Sequence, residues 1–408
     1  MTSVCQHQTK MKQEFKVPAA EIEQRISRIQ IELQEKEIDG LFIVQRVDLF
    51  YFSGTAQNGF LYIPAEGDPL LFIKKYMPRA RVESSIKDII EIKSIKEVPR
   101  LIAHVYEGLP QCLGFELDVV PVNDFNFFRG LFPDKTCVDG SPLIRKIRMI
   151  KSPWEIDQMK ATAEVSCRTF EYARDNIRPG YTEMEFASMF EVFARKLGHG
   201  GKLRVRDYQT EGYPWHVLSG KSGGMVGVLD SPSSGQGTSA AFPCGAGNKK
   251  LAPDEPIMVD FNCVLNGYHF DETRMLAIES MPQKAFDASQ VAIEIHNEIL
   301  NHIKPGIRLD ELFRISIARA KSLGYADPYL GPPGYKVSFI GHGIGLELIE
   351  QPIISAKSEV LLRAGMIFAI EPKLVYLDEF ATGIESIFRV TETGYRLISQ
   401  TPVRVFIC

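Results

Sequence analysis

The sequence predicts a two-domain protein in which a smaller α/β domain precedes a larger α+β domain. The chain has 408 residues, which is long for a single domain. Helix and strand patterns alternate up to about residue 140, whereas beyond a junction at 144–166 they no longer alternate strictly. We therefore expect an amino-terminal domain over residues 1–150 and a second domain over residues 151–408.

The amino-terminal domain begins with a predicted helix over residues 21–38. Its apolar stripe recurs at three- and four-residue steps and is made by Ile22, Ile26, Ile29 and Leu33. Asp39-Gly40 is a typical helix stop. Short apolar runs separated by Gly, Pro and Asp follow, and they predict buried strands at LFIV (41–44), DLFYFSG (48–54), FLYIP (60–64) and PLLFI (69–73).

The second domain opens with a clear helix start. Ser152 is the predicted N-cap, Pro153 stands in the first turn and Glu155 at the third position, which together form a capping box. Apolar periodicity predicts helices over 154–176, 182–197, 284–303 and 309–323. Strands are predicted at IMVDFNCV (257–264), YHFDETRMLAI (268–278), MIFAIEPKLVY (366–376) and IESIFRVT (384–391).

Composition excludes several classes of protein. Hydrophobic residues make up 45% and charged residues 24%, as in globular proteins, and the net charge of -4 offers no basic field for nucleic acid or an anionic membrane. No apolar run approaches the roughly 18 residues of a membrane span, and the polar start of the chain does not resemble a secretory signal. The seven scattered cysteines form no CxxC pair, so we expect a reducing cytoplasm.

A segment rich in Gly and Ser, residues 219–248, lies inside the second domain. One interpretation is a flexible linker. The other is a functional loop, because long loops within compact domains often carry function.

Four acidic residues stand within or beside strongly apolar strands. Asp260 and Asp271 flank a turn at Asn266-Gly267, and Glu371 and Glu385 form a second pair fourteen residues apart. Burying a carboxylate without a partner costs several kcal/mol, so a cation is expected to neutralise them. His342, within FIGHGIG, adds an imidazole. This oxygen-rich donor set suits two divalent ions of Mn, Co, Fe or Zn better than a thiolate zinc site.

The order VDF…GYHFDETR…GHGIG…AIEP…GIES resembles the pita-bread metallopeptidases, in particular the branch of aminopeptidase P, prolidase and creatinase. The resemblance covers nearly the whole chain and implies a creatinase-like amino-terminal domain before a pita-bread catalytic domain. It also implies a homodimer. By resemblance, one metal ion would bind Asp260, Asp271 and Glu385, and the other would bind Asp271, His342, Glu371 and Glu385. Glu371 would also act as general base.

The sequence departs from that family pattern at positions that handle substrate and protons. Ile349 and Ser338 stand where the family's peptidases carry histidines, and Gly383 stands where an arginine is frequent. AFPCGAG, with Cys244, likewise lacks an expected histidine.

Two hypotheses follow from these departures. The first is a Xaa-Pro aminopeptidase or prolidase that hydrolyses a small peptide and takes its catalytic imidazole from His216 or His269. Both histidines also fit a structural role with ring nitrogens bonded to the backbone. The second is a hydrolase or lyase for a small non-peptide substrate. A binding protein without metal is disfavoured, because the whole ligand set is present.

Overall fold

The computed structural model describes residues 15–207 and 215–408. The described chain divides into two compact units on either side of the Ile144–Arg145 bond.

The first unit is a mixed six-stranded sheet whose strands alternate with helices, as its sequence predicts. The elements are α1 (Ala19–Glu35), β1 (Gly40–Ile43), α2 (Arg46–Ser53), β2 (Gly59–Pro64), β3 (Leu70–Ile73), α3 (Met77–Glu83), β4 (Asp88–Glu91), α4 (Val98–Val105), β5 (Cys112–Phe115), α5 (Val122–Leu131) and β6 (Thr136–Asp139). The strand order is β4-β3-β2-β1-β5-β6, with antiparallel pairs at β1–β2 and β2–β3 and parallel pairs elsewhere.

One strand prediction in this unit is wrong. The run DLFYFSG lies mostly within helix α2 rather than in a strand. The Gln45 side chain caps this helix by accepting hydrogen bonds from the backbone N–H groups of Val47 and Asp48. Gly54 ends the helix in the left-handed region at φ 77°. Local capping therefore outweighs the strand preference of the aromatic residues.

Helix α6 (Ser141–Met149) joins the units, and the second unit contains two helix pairs and three sheets. Its elements are α7 (Pro153–Asn176), α8 (Glu183–Leu197), β7 (Trp215–Ser219), β8 (Ile257–Leu265), β9 (Tyr268–Ala277), α9 (Gln283–Asn301), α10 (Leu309–Ser322), β10 (Phe339–Gly343), β11 (Glu350–Ser355), β12 (Ile367–Ile370), β13 (Lys373–Tyr376), β14 (Phe380–Gly383), β15 (Ser386–Val390), β16 (Tyr395–Leu397) and β17 (Phe406–Ile407). The capping box of Ser152 and Glu155 is confirmed.

The sheets of the second unit have the orders β17-β9-β8-β7, β11-β10-β12-β15-β16 and β13-β14. Helices α7 and α8 share a hydrophobic core with the first of these sheets, and α9 and α10 share another with the second. The predicted strand 366–376 is divided by Pro372 into β12 and β13, which belong to different sheets. Proline lacks the N–H that a sheet ladder needs, so the strand breaks at this point.

No helix among the described residues combines the length and the hydropathy of a membrane span.

Candidate metal centre

The hairpin of β8 and β9 brings two of the predicted ligands to one face. Asn266 and Gly267 form its two-residue turn, with φ angles of 55° and 88°. In the resulting register Asp260 lies opposite Thr273, and Asn262 opposite Asp271. Because side chains alternate along a strand, both carboxylates point to the same side of the sheet.

The other three predicted ligands come from the segments around β10, β12, β14 and β15. His342 lies on β10, Glu371 follows β12 directly, and Glu385 lies between β14 and β15. The backbone N–H of Glu385 donates to the carbonyl oxygen of Thr273 at 3.1 Å, and its side chain accepts from the Thr273 hydroxyl at 2.9 Å. The buried Arg274 guanidinium donates to the carbonyl oxygen of Glu385. These hydrogen bonds connect strand β9 with the segment between β14 and β15, next to the predicted ligands.

We call Asp260, Asp271, Glu371 and Glu385 the carboxylate cluster. Among the described residues, one group of three potential ligands has donor atoms that all lie within 4.8 Å of one another: Asp271, His342 and Glu385. Oδ1 of Asp271 and Oε1 of Glu385 are buried and accept no hydrogen bond from the described part of the chain. Burial and the neighbouring carboxylates raise the pKa of both side chains well above its ordinary value. These three side chains therefore fit a divalent cation.

Asp260 and Glu371 have a different partner, the buried side chain of Lys373. Its ammonium Nζ lies 2.8 Å from Oε2 of Glu371 and 2.9 Å from Oδ2 of Asp260. Burial opposes ionisation of Asp260, but the ammonium outweighs it and holds the pKa of Asp260 below its ordinary value. Burial also opposes ionisation of Lys373. The surrounding carboxylates outweigh burial and raise the pKa of Lys373.

Lys373 is not among the site residues predicted from the sequence. One signal was available: Lys373 stands two residues after Glu371, so an extended backbone would place both side chains on one face.

A cavity of about 610 Å³ opens over the cluster, within the usual size range of small-molecule sites. All five predicted ligands, Lys373 and His216 line it. The Gly- and Ser-rich segment contributes two stretches to its wall, residues 228–231 and 241–244, the latter including Cys244. The segment therefore faces the site, as its interpretation as a functional loop expects.

A buried glutamate fixes the base of that segment. Glu183, at the start of α8, accepts hydrogen bonds from the backbone N–H and hydroxyl of Ser219 at 2.7 and 2.8 Å. Its second oxygen accepts from the Ser222 hydroxyl at 3.1 Å and from the Gly247 N–H at 3.0 Å. One carboxylate thus joins the two ends of the segment. Nothing in the local sequence marks Glu183, because its partners lie 36 to 64 residues away.

The two histidines proposed as catalytic are placed differently. His216 lines the cavity and lies opposite Asp260 in the β7–β8 register. Burial lowers its pKa, which favours the neutral imidazole.

His269 lies outside the cavity lining, contrary to the prediction that it serves the metals. Its Nε2 accepts a hydrogen bond from the Arg204 backbone N–H at 3.0 Å, and its Nδ1 lies 3.1 Å from the Gly345 carbonyl oxygen. Burial lowers its pKa to about 4. This geometry indicates that a neutral His269 holds two loops in place.

Two of the departures from the family pattern also have visible consequences. Ile349 lines the cavity with an apolar side chain where a histidine is expected, and Phe339, next to Ser338, lines it as well. At Gly383, a Cβ atom would lie 2.6 Å from Cγ of Lys373, so the lysine stem occupies the space of a side chain at that position.

Comparison with known proteins agrees with this architecture. The profile of Metallopeptidase family M24 matches residues 157–392, and the profile of the Creatinase/Prolidase N-terminal domain matches residues 25–150. The chain belongs to this metallopeptidase family. It combines a creatinase-like amino-terminal domain with a pita-bread catalytic domain, as the sequence predicts.

Named relatives match more than nine-tenths of the chain. A Xaa-Pro dipeptidase of Pyrococcus furiosus is 24% identical over 93% of this chain and 99% of its own. Among solved structures, a Xaa-Pro dipeptidase from Bacillus anthracis has a TM-score of 0.80 at 23% identity, covering 95% of this chain and all of that one. An X-Pro aminopeptidase from Thermotoga maritima has a TM-score of 0.78 at 23% identity, covering 94% of this chain and 99% of that one.

Proposed function

We propose that the protein is a metal-dependent peptidase that hydrolyses the peptide bond next to proline in small peptides. The observation that carries the proposal is the group of Asp271, His342 and Glu385, which can hold a divalent ion at the wall of a cavity large enough for a dipeptide. Membership of a metallopeptidase family and similarity over more than nine-tenths of the chain to a protein named Xaa-Pro dipeptidase support it.

The donor set, two carboxylates and an imidazole, suits Mn²⁺, Co²⁺, Fe²⁺ or Zn²⁺. Such an ion, when bound, lowers the pKa of a water molecule and polarises a substrate carbonyl.

The protein's own side chains supply the remaining functions. By family resemblance Glu371 is the general base, and its Oε1 lies beside the predicted metal ligands, 3.6 Å from the imidazole of His342. The Lys373 ammonium fixes the other oxygen of Glu371, which orients the carboxylate. His216 is the other histidine that lines the cavity, and its neutral imidazole is the candidate to hold the substrate by a hydrogen bond.

A panel of substrates tests the proposal. Protein reconstituted with Mn²⁺ or Co²⁺ should hydrolyse Xaa-Pro dipeptides, and His342→Ala should lower kcat/KM by at least about 100-fold. Asp287→Asn, at an exposed carboxylate on α9, is a surface control and should leave kcat/KM unchanged.

The same panel includes small non-peptide amides, because Ile349 replaces an expected histidine in the cavity wall. Turnover of such amides without turnover of any dipeptide would favour the alternative of a non-peptidase hydrolase or lyase. If no compound is turned over in a metal-dependent way, the proposed function is wrong.

We further propose a cytoplasmic homodimer. The six cysteines among the described residues are free thiols, as a reducing compartment favours, and the dimer follows from family resemblance. Light scattering on the protein as it elutes from a size-exclusion column should give twice the chain mass of 45.9 kDa.

A further inference from the structure

The carboxylate cluster already contains a cation of the protein's own. Only 3% of the Lys373 side chain is exposed. Its Nζ lies within 2.9 Å of Asp260 and Glu371, and 3.9 Å from Oε2 of Glu385. One ammonium therefore contacts three of the four carboxylates.

This placement divides the predicted ligands into two sets. Asp260 and Glu371 direct an oxygen at the ammonium. Asp271 and Glu385 each keep a buried oxygen that accepts no hydrogen bond from the described residues, and these two side chains group with His342. The first set shares the lysine ammonium as its cationic partner, whereas the second set has no hydrogen-bonded cation among the described residues and is therefore the set that a metal ion would bind.

The neighbouring hairpin strand is shaped to admit the lysine. Lys373 is the first residue of β13 and pairs directly with Gly383 at the end of β14. A Cβ atom at position 383 would stand 2.6 Å from Cγ of Lys373, which is closer than non-bonded carbon atoms approach. Glycine at this position thus leaves the path of the lysine stem open.

A second divalent ion would compete with the ammonium for the same oxygens. Metal–oxygen bonds to carboxylates are about 2.0–2.2 Å long, so an ion bound to Asp260 or Glu371 would lie within a few ångströms of Nζ. Two cations at that distance in a buried site repel each other strongly.

We propose that this protein binds one divalent ion, on Asp271, His342 and Glu385, and that the Lys373 ammonium permanently takes the place of the second ion expected from the family pattern. The inference rests on the proposed function in one respect, namely that a divalent ion binds at all.

Metal counting tests it. Protein saturated with Mn²⁺ or Co²⁺ and then desalted should retain one ion per chain by elemental analysis. Lys373→Ala should retain two, with the affinity for the second ion raised on the order of a thousand-fold, since the repelling charge is gone. Lys151→Ala is the matched control: Lys151 is an equally buried lysine that pairs with Glu350 outside the cavity lining, and its removal should leave the count at one.

The wild-type protein gives a second readout that does not depend on the folding of any variant. With two equivalents of Mn²⁺, its electron paramagnetic resonance spectrum should show isolated ions and no exchange coupling. Two retained ions or a coupled spectrum in the wild type would overturn the inference while leaving the proposed function standing. One ion in both wild type and Lys373→Ala would overturn the role of the lysine. No retained ion in the wild type would contradict the proposed function as well.

Discussion

Two buried groups of charge lie in the second unit, and they are balanced differently. The Arg148 cluster consists of Arg148, Lys151, Arg206, Glu347 and Glu350, so that each of its two carboxylates has at least one cationic partner. Arg148 lies 2.6 Å from Glu350 and 2.8 Å from Glu347, and Lys151 lies 2.9 Å from Glu350.

The carboxylate cluster sets four carboxylates against the single ammonium of Lys373. The pKa values differ accordingly. Burial opposes ionisation of Glu350, but Arg148 and Lys151 outweigh it and lower the pKa to about 2. Burial and like charge raise the pKa of Asp271 and Glu385. We call the Arg148 cluster balanced because each of its carboxylates has a cationic partner in the protein. In the carboxylate cluster, Asp271 and Glu385 lack a hydrogen-bonded cation among the described residues, which favours binding of an external one.

The largest change in the free energy of unfolding should come from removing one charged side chain from each cluster in turn. Removing one partner of a buried ion pair leaves an uncompensated charge and costs about 3–5 kcal/mol, so Glu350→Ala and Lys373→Ala should both lower the free energy of unfolding by that amount in EDTA. Mn²⁺ at 100 times the Kd should stabilise Glu350→Ala and the wild type alike, by about 2.7 kcal/mol, through the ion on Asp271, His342 and Glu385. Lys373→Ala should gain about twice that amount, because it binds a second ion at the carboxylates that the lysine has left. Urea unfolding with and without metal measures these gains, and equal gains in the two variants would show that the clusters do not differ.

The second unit also shows which parts of the fold and of the site can be predicted from the sequence. Helices α7 to α10 could be predicted within one or two residues, because amphipathic periodicity and a capping box are local signals. The five predicted metal ligands could be listed from motif order, and all five side chains line one cavity in the structure.

Partners far apart in the chain could not be predicted. Arg148 and Glu350 are 202 residues apart, and Lys373 and Asp260 are 113 apart, so local patterns leave Arg148 and Lys373 looking like ordinary basic residues. The place of His269 could not be predicted for the same reason. Sharing a strand face with Asp271 suggested a place at the metals, but the backbone groups that bind its ring nitrogens lie 65 and 76 residues away.

Acidification should remove the contribution of Glu350, in the balanced cluster, to the free energy of unfolding. The pKa of Glu350 falls from an ordinary 4.5 to about 2 on folding, so its contribution is fully present above the unfolded pKa and is lost as the pH falls from 4.5 towards 2. The shift corresponds to about 3 kcal/mol. The difference in unfolding free energy between wild type and Glu350→Gln should therefore be constant above about pH 5 and shrink below it. Unfolding free energies from urea titrations between pH 7 and about pH 3 check this, and a difference that grows on acidification would contradict it.

The smallest expected change in the free energy of unfolding is an increase rather than a decrease. Asp271→Asn removes a charge that has no cation partner when metal is withheld, and it keeps the size of the side chain. In EDTA this variant should be more stable than the wild type by about 1–2 kcal/mol, as is common when a functional site is neutralised. In saturating Mn²⁺ the order should reverse, because the wild type gains the free energy of ion binding and the variant has lost a ligand.

Glu350→Gln is the matched control for Asp271→Asn. It makes the same change from carboxylate to amide in the balanced cluster, and there it should lower stability with or without metal, since Arg148 and Lys151 lose their charged partner. Urea unfolding of both variants, with EDTA and with Mn²⁺, gives the four values needed. If Asp271→Asn were destabilising in EDTA, the buried oxygen of Asp271 would have a stabilising partner in the protein itself. The imbalance of charge would then lie elsewhere in the cluster, with Glu385 as the remaining residue of raised pKa.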